Sequence, residues 1–129
     1  MIQEVTPPDA YQKLKEVEDA ILIDCRNEKE WVSIGVPDLS SIGKTLLKIE
    51  LVRQDQSINS QFVGQVEEYA TRETPLYLIC KSGVRSAAAC QMLIRAGFNN
   101  VTNVAEGFEG LSQSDLSDGW KSHSLPWKR

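Results

Sequence analysis

Histidine is almost missing from this sequence: His123 stands alone, in a polar stretch with Ser on both sides. A Ser-His-Asp or Cys-His arrangement needs a histidine held against the nucleophile, so such chemistry has one poorly placed candidate, and a solvent-exposed side chain is the expectation for it. Cysteine is scarce as well. Cys25, Cys80 and Cys90 form an odd set with no Cys-x-x-Cys spacing, which fits reduced thiols better than a disulfide framework. The closely spaced ligand pairs of a tetrahedral zinc site are lacking, and no metal is expected. No apolar run approaches the ~18 residues of a membrane span. The opening residues show no basic region leading into an apolar core and a small-residue cleavage site. A soluble, cytoplasmic protein is therefore expected. Basic residues are outnumbered, 14 Lys and Arg against 18 Asp and Glu, for a net charge of -4, which argues against a phosphate-backbone binder. Neither nucleic acid nor a membrane is an expected partner.

What is present is an ordinary globular composition, 41% hydrophobic and 25% charged over 129 residues, enough for one domain (1–129) with one core. Ile2 to Val5 reads as a short strand, and Thr6-Pro7-Pro8-Asp9 as the capped start of a helix to about Glu16. Ala20 to Asp24 is a nearly continuous apolar run, as in a strand covered on both faces. Asn27 can cap a short helix through Trp31, with a loop from Gly35 to Gly43. Thr45 to Leu51 reads as an edge strand and Asn59 to Arg72 as a helix. Pro75 to Cys80 is the clearest strand. Ser86 to Ala96 is the clearest helix, with a polar stripe so narrow that it should be mostly buried, ending at Gly97 with Phe98 as a hydrophobic cap contact. Asn100 to Val104 is a last strand. From Glu106 onward the chain is punctuated by Gly, Ser and Asp, with Trp120 and Trp127 available to pack back. Strands alternating with helices predict an α/β fold on a central, mostly parallel sheet.

In such sheets the functional crevice lies at the carboxyl ends of the strands, which is where Cys80 falls. Between it and the helix at Ser86 there is room only for a tight turn whose amide hydrogens point toward the thiol, and Gly83 lets that turn close. A cup of amides at a helix start, with Lys81 and Arg85 adding charge, favours the ionised form of a thiol, which is the nucleophile. A plain strand-to-helix connection around a small buried cysteine is the blander reading. A strand-end cysteine, a glycine, two cations and a helix start within one short stretch favour a reactive site.

The loop Cys80-Lys81-Ser82-Gly83-Val84-Arg85-Ser86 resembles the active-site loop of single-domain rhodaneses, the thiosulfate sulfurtransferases. Asp24-x-Arg26 is similar to the Asp-x-Arg that ends their second strand, and Gly97-Phe98-x-x-Val101-x-Asn103-Val104 with Glu106-Gly107 to the stretch after their active-site helix. The resemblance spans most of the chain. It implies a rhodanese-like three-layer sandwich with helices on both sides of the sheet, and sulfur transfer through a Cys80 persulfide in a ping-pong scheme. No cofactor or metal is implied. The donor would be thiosulfate or a persulfide, and the acceptor a thiol, cyanide or a protein. Lys81, Ser82, Gly83, Val84, Arg85 and Ser86 would surround the sulfur with donors. Lys81 and Arg85 would bind an anionic donor, unless Arg85 turns inward to brace the loop, and Asp24 and Arg26 would support the scaffold. The segment from Ser33 to Leu39 departs from the family's usual Gly-His-Ile-Pro-Gly-Ala, so acceptor preference does not carry over.

Two other readings remain open. A cysteine-dependent phosphatase of the same fold would place five residues between Cys and Arg, whereas only the four residues from Lys81 to Val84 intervene here. A non-catalytic binding or redox-sensing module would use the same thiol as an oxidant target. Cys25 is either a resolving thiol for Cys80 or, more simply, a packed strand-end residue. Cys90 reads as core. Trp31, Trp120 and Trp127 can line a cleft, although aromatics first supply core area. Glu67, Glu68, Lys121, Lys128 and Arg129 read as solvated surface.

Overall fold

A computed structural model describes residues 2–110 and 119–129. The Ser- and Asp-rich stretch 111–118 within the punctuated end lies outside the described residues. Five parallel strands form the central sheet in the order β1-β6-β5-β2-β4. They are β1 (Gln3–Val5), β2 (Ile21–Asp24), β4 (Leu47–Lys48), β5 (Leu76–Ile79) and β6 (Val101–Val104). Strands β5 and β6 are buried along their whole length, and β5 pairs with β2 from Ile21 opposite Leu76 to Asp24 opposite Ile79.

Strand side chains alternate between the two faces of the sheet, and each face has its own core. Ile23, Leu76 and Leu78 point to one side, where they meet Phe62 and Val66 of α3 (Phe62–Glu67) and Ala89 and Leu93 of α4 (Val84–Arg95). Leu22, Tyr77 and Ile79 point to the other, against Ala10 and Leu14 of α1 (Pro7–Glu16) and Trp120 of α5 (Gly119–Ser122). The result is helix, sheet, helix: the three-layer α/β arrangement expected.

Local chemistry explains most of the element ends. Thr6 caps α1 by accepting the Asp9 amide at 3.3 Å, with Pro7 at the helix start. Asn27 and Glu30 form a reciprocal capping box on α2 (Glu28–Ser33), the arrangement that satisfies two orphan amides at once. Gly97 adopts φ +96°, and Phe98 returns its amide to Leu93 while its ring joins the same core.

Other boundaries differ from the sequence reading. Helix α4 starts at Val84, not Ser86, because Gly83 takes φ +102° and completes the turn within one residue. It is amphipathic rather than mostly buried: Ser86, Ala89, Cys90 and Leu93 face inward, while Ala88, Gln91 and Arg95 are exposed. Only Leu47–Lys48 of the 45–51 segment pairs as strand. The expected helix 59–72 is reduced to α3, since the Asn59 side chain takes up the preceding chain by bonding Glu50 O, Gln65 and Arg53. Tyr69, placed on its apolar stripe, is exposed. A 3-10 turn over Ser40–Ile42 and a small antiparallel ribbon, β3 (Val36–Pro37) with β7 (Trp127–Lys128), were not foreseen.

At the carboxyl end of β2, Asp24 and Arg26 form a fully buried ion pair, Nη2 to Oδ2 at 2.8 Å and Nε to Oδ1 at 3.0 Å. Arg26 also donates to Gly35 O at 2.7 Å and lies over the Phe108 ring at 4.5 Å, while its Nη1 has no hydrogen-bond acceptor among the described residues. Removing one member of such a pair strands a charge in the interior. Asp24→Ala should therefore cost about 3–5 kcal/mol, read as a lower urea midpoint in equilibrium unfolding followed by tryptophan fluorescence.

Candidate active site

Strand β5 delivers Cys80 to the carboxyl edge of the sheet, and α4 begins four residues later at Val84. The intervening turn wraps the sulfur. Gly83 N–H donates to Cys80 Sγ at 3.1 Å, Ser86 N–H at 3.3 Å, and Ser86 Oγ lies 3.2 Å away. Cys80 as a residue is only 1% exposed, so the sulfur sits at the bottom of the cup. The amides of Val84 and Arg85, at the start of α4, lack intrahelical acceptors as at every helix start and carry the positive end of the helix dipole. Around the rim Lys81 is exposed, Ser82 and Gly83 are half-buried, and Val84 is 76% exposed.

Behind the sulfur stands a polar group that sequence reasoning did not assign. Asn103, on β6, accepts from the Ser86 hydroxyl at 2.5 Å and donates through Nδ2 to Gly83 O at 3.2 Å and to Glu4 Oε2 at 3.0 Å. It thus fastens both ends of the turn. The Ser86 hydroxyl has one proton, so it donates either to Asn103 or to the sulfur. Asn103 entered the sequence reading as one position of the Gly97–Val104 motif, with no role given to its side chain, and Glu4 is brought beside it by the β1-β6 pairing, ninety-nine residues away in the chain.

The second unforeseen partner is Glu30. Arg85 turns toward α2 and makes a two-pronged ion pair with it, Nη1 to Oε1 and Nη2 to Oε2, both at 2.7 Å. Burial alone would raise the Glu30 carboxyl, but the Arg85 hydrogen bonds and the Asn27 amide outweigh it and hold the group below its ordinary value. Arg85 is in turn held above its own. Since Glu30 loses its charge only below the ordinary carboxylate range, the pair is intact at neutral pH and its contribution disappears only as the pH falls through that lowered value.

The loop from Ala105 to Gly110 closes the site from below. Phe108 N donates to Cys80 O at 2.8 Å and Glu109 N to Lys81 O at 2.9 Å. Gly107, at φ +65°, passes so close that a Cβ there would lie 2.6 Å from the carbonyl oxygens of both Cys80 and Lys81. Asp24 and Arg26 reach this layer through Phe108 and bond one another rather than the sulfur. His123 is not solvent-exposed as expected: it is partly buried and sits 3.0 Å from Glu106 Oε1, which also accepts the Gly119 amide.

Cys25 and Cys90 are buried thiols. Burial first, then the neighbouring Cys80 and Asp24, pushes Cys25 well up, and its S–H donates to Ile79 O at 3.4 Å. Cys90 is pushed up to about 12 by burial. Neither is poised to act as a thiolate. Trp120 is fully buried with its indole N–H on Pro126 O, and Trp127 lies across Phe108 on the ribbon. Trp31 lines a groove of about 360 Å³ with Lys48, Glu50 and Tyr69, along the β4 edge and apart from Cys80. Among the described residues no cluster of His, Cys, Asp or Glu suits a metal, and no helix is long and apolar enough to cross a membrane.

A parallel sheet sandwiched by helices, with the Cys80 turn at its carboxyl edge, is the rhodanese-like α/β fold. The chain belongs to the family described as the STR4 middle domain, whose model matches residues 3–129. In a crystal structure, Rv0390 from M. tuberculosis superimposes with a TM-score of 0.89 at 34% identity, over 98% of this chain and 96% of that one. The uncharacterized protein RP600 of Rickettsia prowazekii (strain Madrid E) is 30% identical over 99% of this chain and 98% of its own length. A protein named sulfurtransferase from Allochromatium vinosum is 24% identical over 98% of this chain and 94% of its own. A rhodanese-like domain protein from Staphylococcus aureus shares the fold, with a TM-score of 0.67 at 19% identity, over 99% of this chain and the whole of that one.

Removing the buried bonds of Asn103 by Asn103→Ala should lower stability by about 1–3 kcal/mol. It should also slow alkylation of Cys80 by iodoacetamide. Peptide mapping of the folded wild type should find label on Cys80 and none on Cys25 or Cys90 until the chain is unfolded.

Proposed function

We propose that this protein is a sulfurtransferase that carries a sulfane sulfur on Cys80. The observation that supports it most is the convergence of two amide donors and one hydroxyl on a single strand-end sulfur, at the start of a twelve-residue helix. Donors so placed stabilise negative charge on sulfur. The amides of Val84 and Arg85 are left to receive the outer sulfur once it is attached.

In the first half-reaction the Cys80 thiolate attacks the outer sulfur of a donor. The donor's S–S bond breaks, sulfite or a thiolate departs with the electron pair, and Cys80 keeps the sulfur as a persulfide anion. In the second, a thiolate or cyanide attacks that outer sulfur, leaving as a new persulfide or as thiocyanate, and the Cys80 thiolate returns. Each step exchanges one S–S or C–S bond for another, so no cofactor, metal or external oxidant takes part. The acceptor is a thiol, free or on a protein. The short span between Cys80 and Arg85 supports sulfur over phosphate, since a turn of four intervening residues encloses a smaller ring than a phosphoryl group requires.

Intact-mass measurement tests the reading directly. After mixing with thiosulfate or with a cysteine persulfide, the wild type should gain one sulfur that cyanide removes, and Cys80→Ser should gain none. Absence of any adduct from both donors, together with hydrolysis of a phosphate ester, would overturn it.

A further inference from the structure

If Cys80 carries sulfur as proposed above, the charges around it bear on where that sulfur comes from. Thiosulfate is a dianion, and its attack by a thiolate gathers three negative charges in one turn. The sequence offers Lys81 and Arg85 to meet them. In the structure Arg85 is already matched, both outer nitrogens on both oxygens of Glu30 at 2.7 Å, with the two side chains 27% and 18% exposed. A second carboxylate, Glu4, reaches the far side of the turn through Asn103. Arg26, the other arginine nearby, is consumed by Asp24 in the interior. Among the described residues Lys81 has no ion-pair partner, and it is solvent-exposed, where its field is screened.

Shape points the same way. Cys80 is 1% exposed at the base of the cup, so an incoming sulfur must approach in a narrow line. The end of an R–S–SH chain is slim, whereas the reacting sulfur of thiosulfate is followed at once by a trigonal SO3 head. The lip carries Val84, 76% exposed, an apolar contact that suits an organic substituent better than a sulfonate.

We propose that the sulfur donor is a thiol-borne persulfide, R–S–SH, and that Glu30 is the residue that disfavours thiosulfate by neutralising Arg85. The donor reacts in its ionised form, R–S–S⁻: the Cys80 thiolate attacks the outer sulfur, the donor's S–S bond breaks, R–S⁻ leaves with the electron pair, and Cys80 keeps the sulfur as a persulfide anion, so one S–S bond replaces another with no net oxidation. Charge at the turn rises by one rather than two with such a donor. Glu30 acts through Arg85 and is a positioning residue for specificity.

The test is single-turnover loading of Cys80 by thiosulfate and by glutathione persulfide, followed by mass, in wild type and Glu30→Gln. Glutamine at this place keeps the reciprocal cap of α2, so the variant retains the fold, and a thermal melt checks this. The wild type should load from the persulfide at least on the order of tenfold faster than from thiosulfate, and Glu30→Gln should raise the thiosulfate rate by about tenfold while changing the persulfide rate little, as expected for freeing one unit charge near the sulfur. Equal or faster loading of the wild type from thiosulfate overturns the donor assignment and leaves the sulfurtransferase reading standing. A preference for persulfide that Glu30→Gln does not shift overturns the role of Glu30. Loading from neither donor overturns both.

Discussion

The ion pair between Asp24 and Arg26 ties together segments that would otherwise meet the end of the sheet independently. Arg26 spans from its own strand end to the Gly35 carbonyl beyond α2 and to the Phe108 ring in the loop after β6. That loop in turn donates two amides to the carbonyls of Cys80 and Lys81. The position of the sulfur therefore depends on a charge pair that never touches it. A buried pair of this kind adds little net stability compared with apolar residues of equal volume. What it supplies is a fixed relation among β2, α2 and the loop under the turn.

The turn itself works by economy of donors. Glycine at 83 lets the backbone reverse within one residue, and the helix starts immediately, so the amides of Gly83 and Ser86 face the sulfur rather than solvent. Asn103 then holds the turn from behind by its carbonyl and its amide together. Because the Ser86 hydroxyl has two acceptors within reach and one proton to give, it can follow the charge on the sulfur without any movement of the backbone.

Much of the scaffold could be read from the sequence, because it rests on local patterns. The uncharged run from Leu76 to Ile79, the Ala-rich helix after it and the Asn27 cap each carry their signal within a few residues. Cys80 and its turn were legible for the same reason. The parts that Glu30, Glu4 and Asn103 play were not, since each acts on the turn from a distant part of the chain: the Asn27-x-x-Glu30 spacing marks a capping box but says nothing of Arg85, and Asn103 stood in a motif without a role for its side chain. The β3-β7 ribbon escaped notice because each strand has two residues, too few for alternation to appear, and its register rests on Trp127 packing against Gly35. His123 was misjudged by its polar neighbours, while Glu106 reaches it from seventeen residues back.

The two outer strands of the sheet are short: β1 has three residues and β4 has two, with Gln3, Glu4 and Lys48 exposed. A strand edge is a template on which another chain can build, and its danger grows with the number of free amides in a row. Here the well-formed strands are all in the middle, and the rims offer only a few peptide groups flanked by charge. Short, charged rims of this kind are one of the ways a sheet blunts its edges without closing into a barrel.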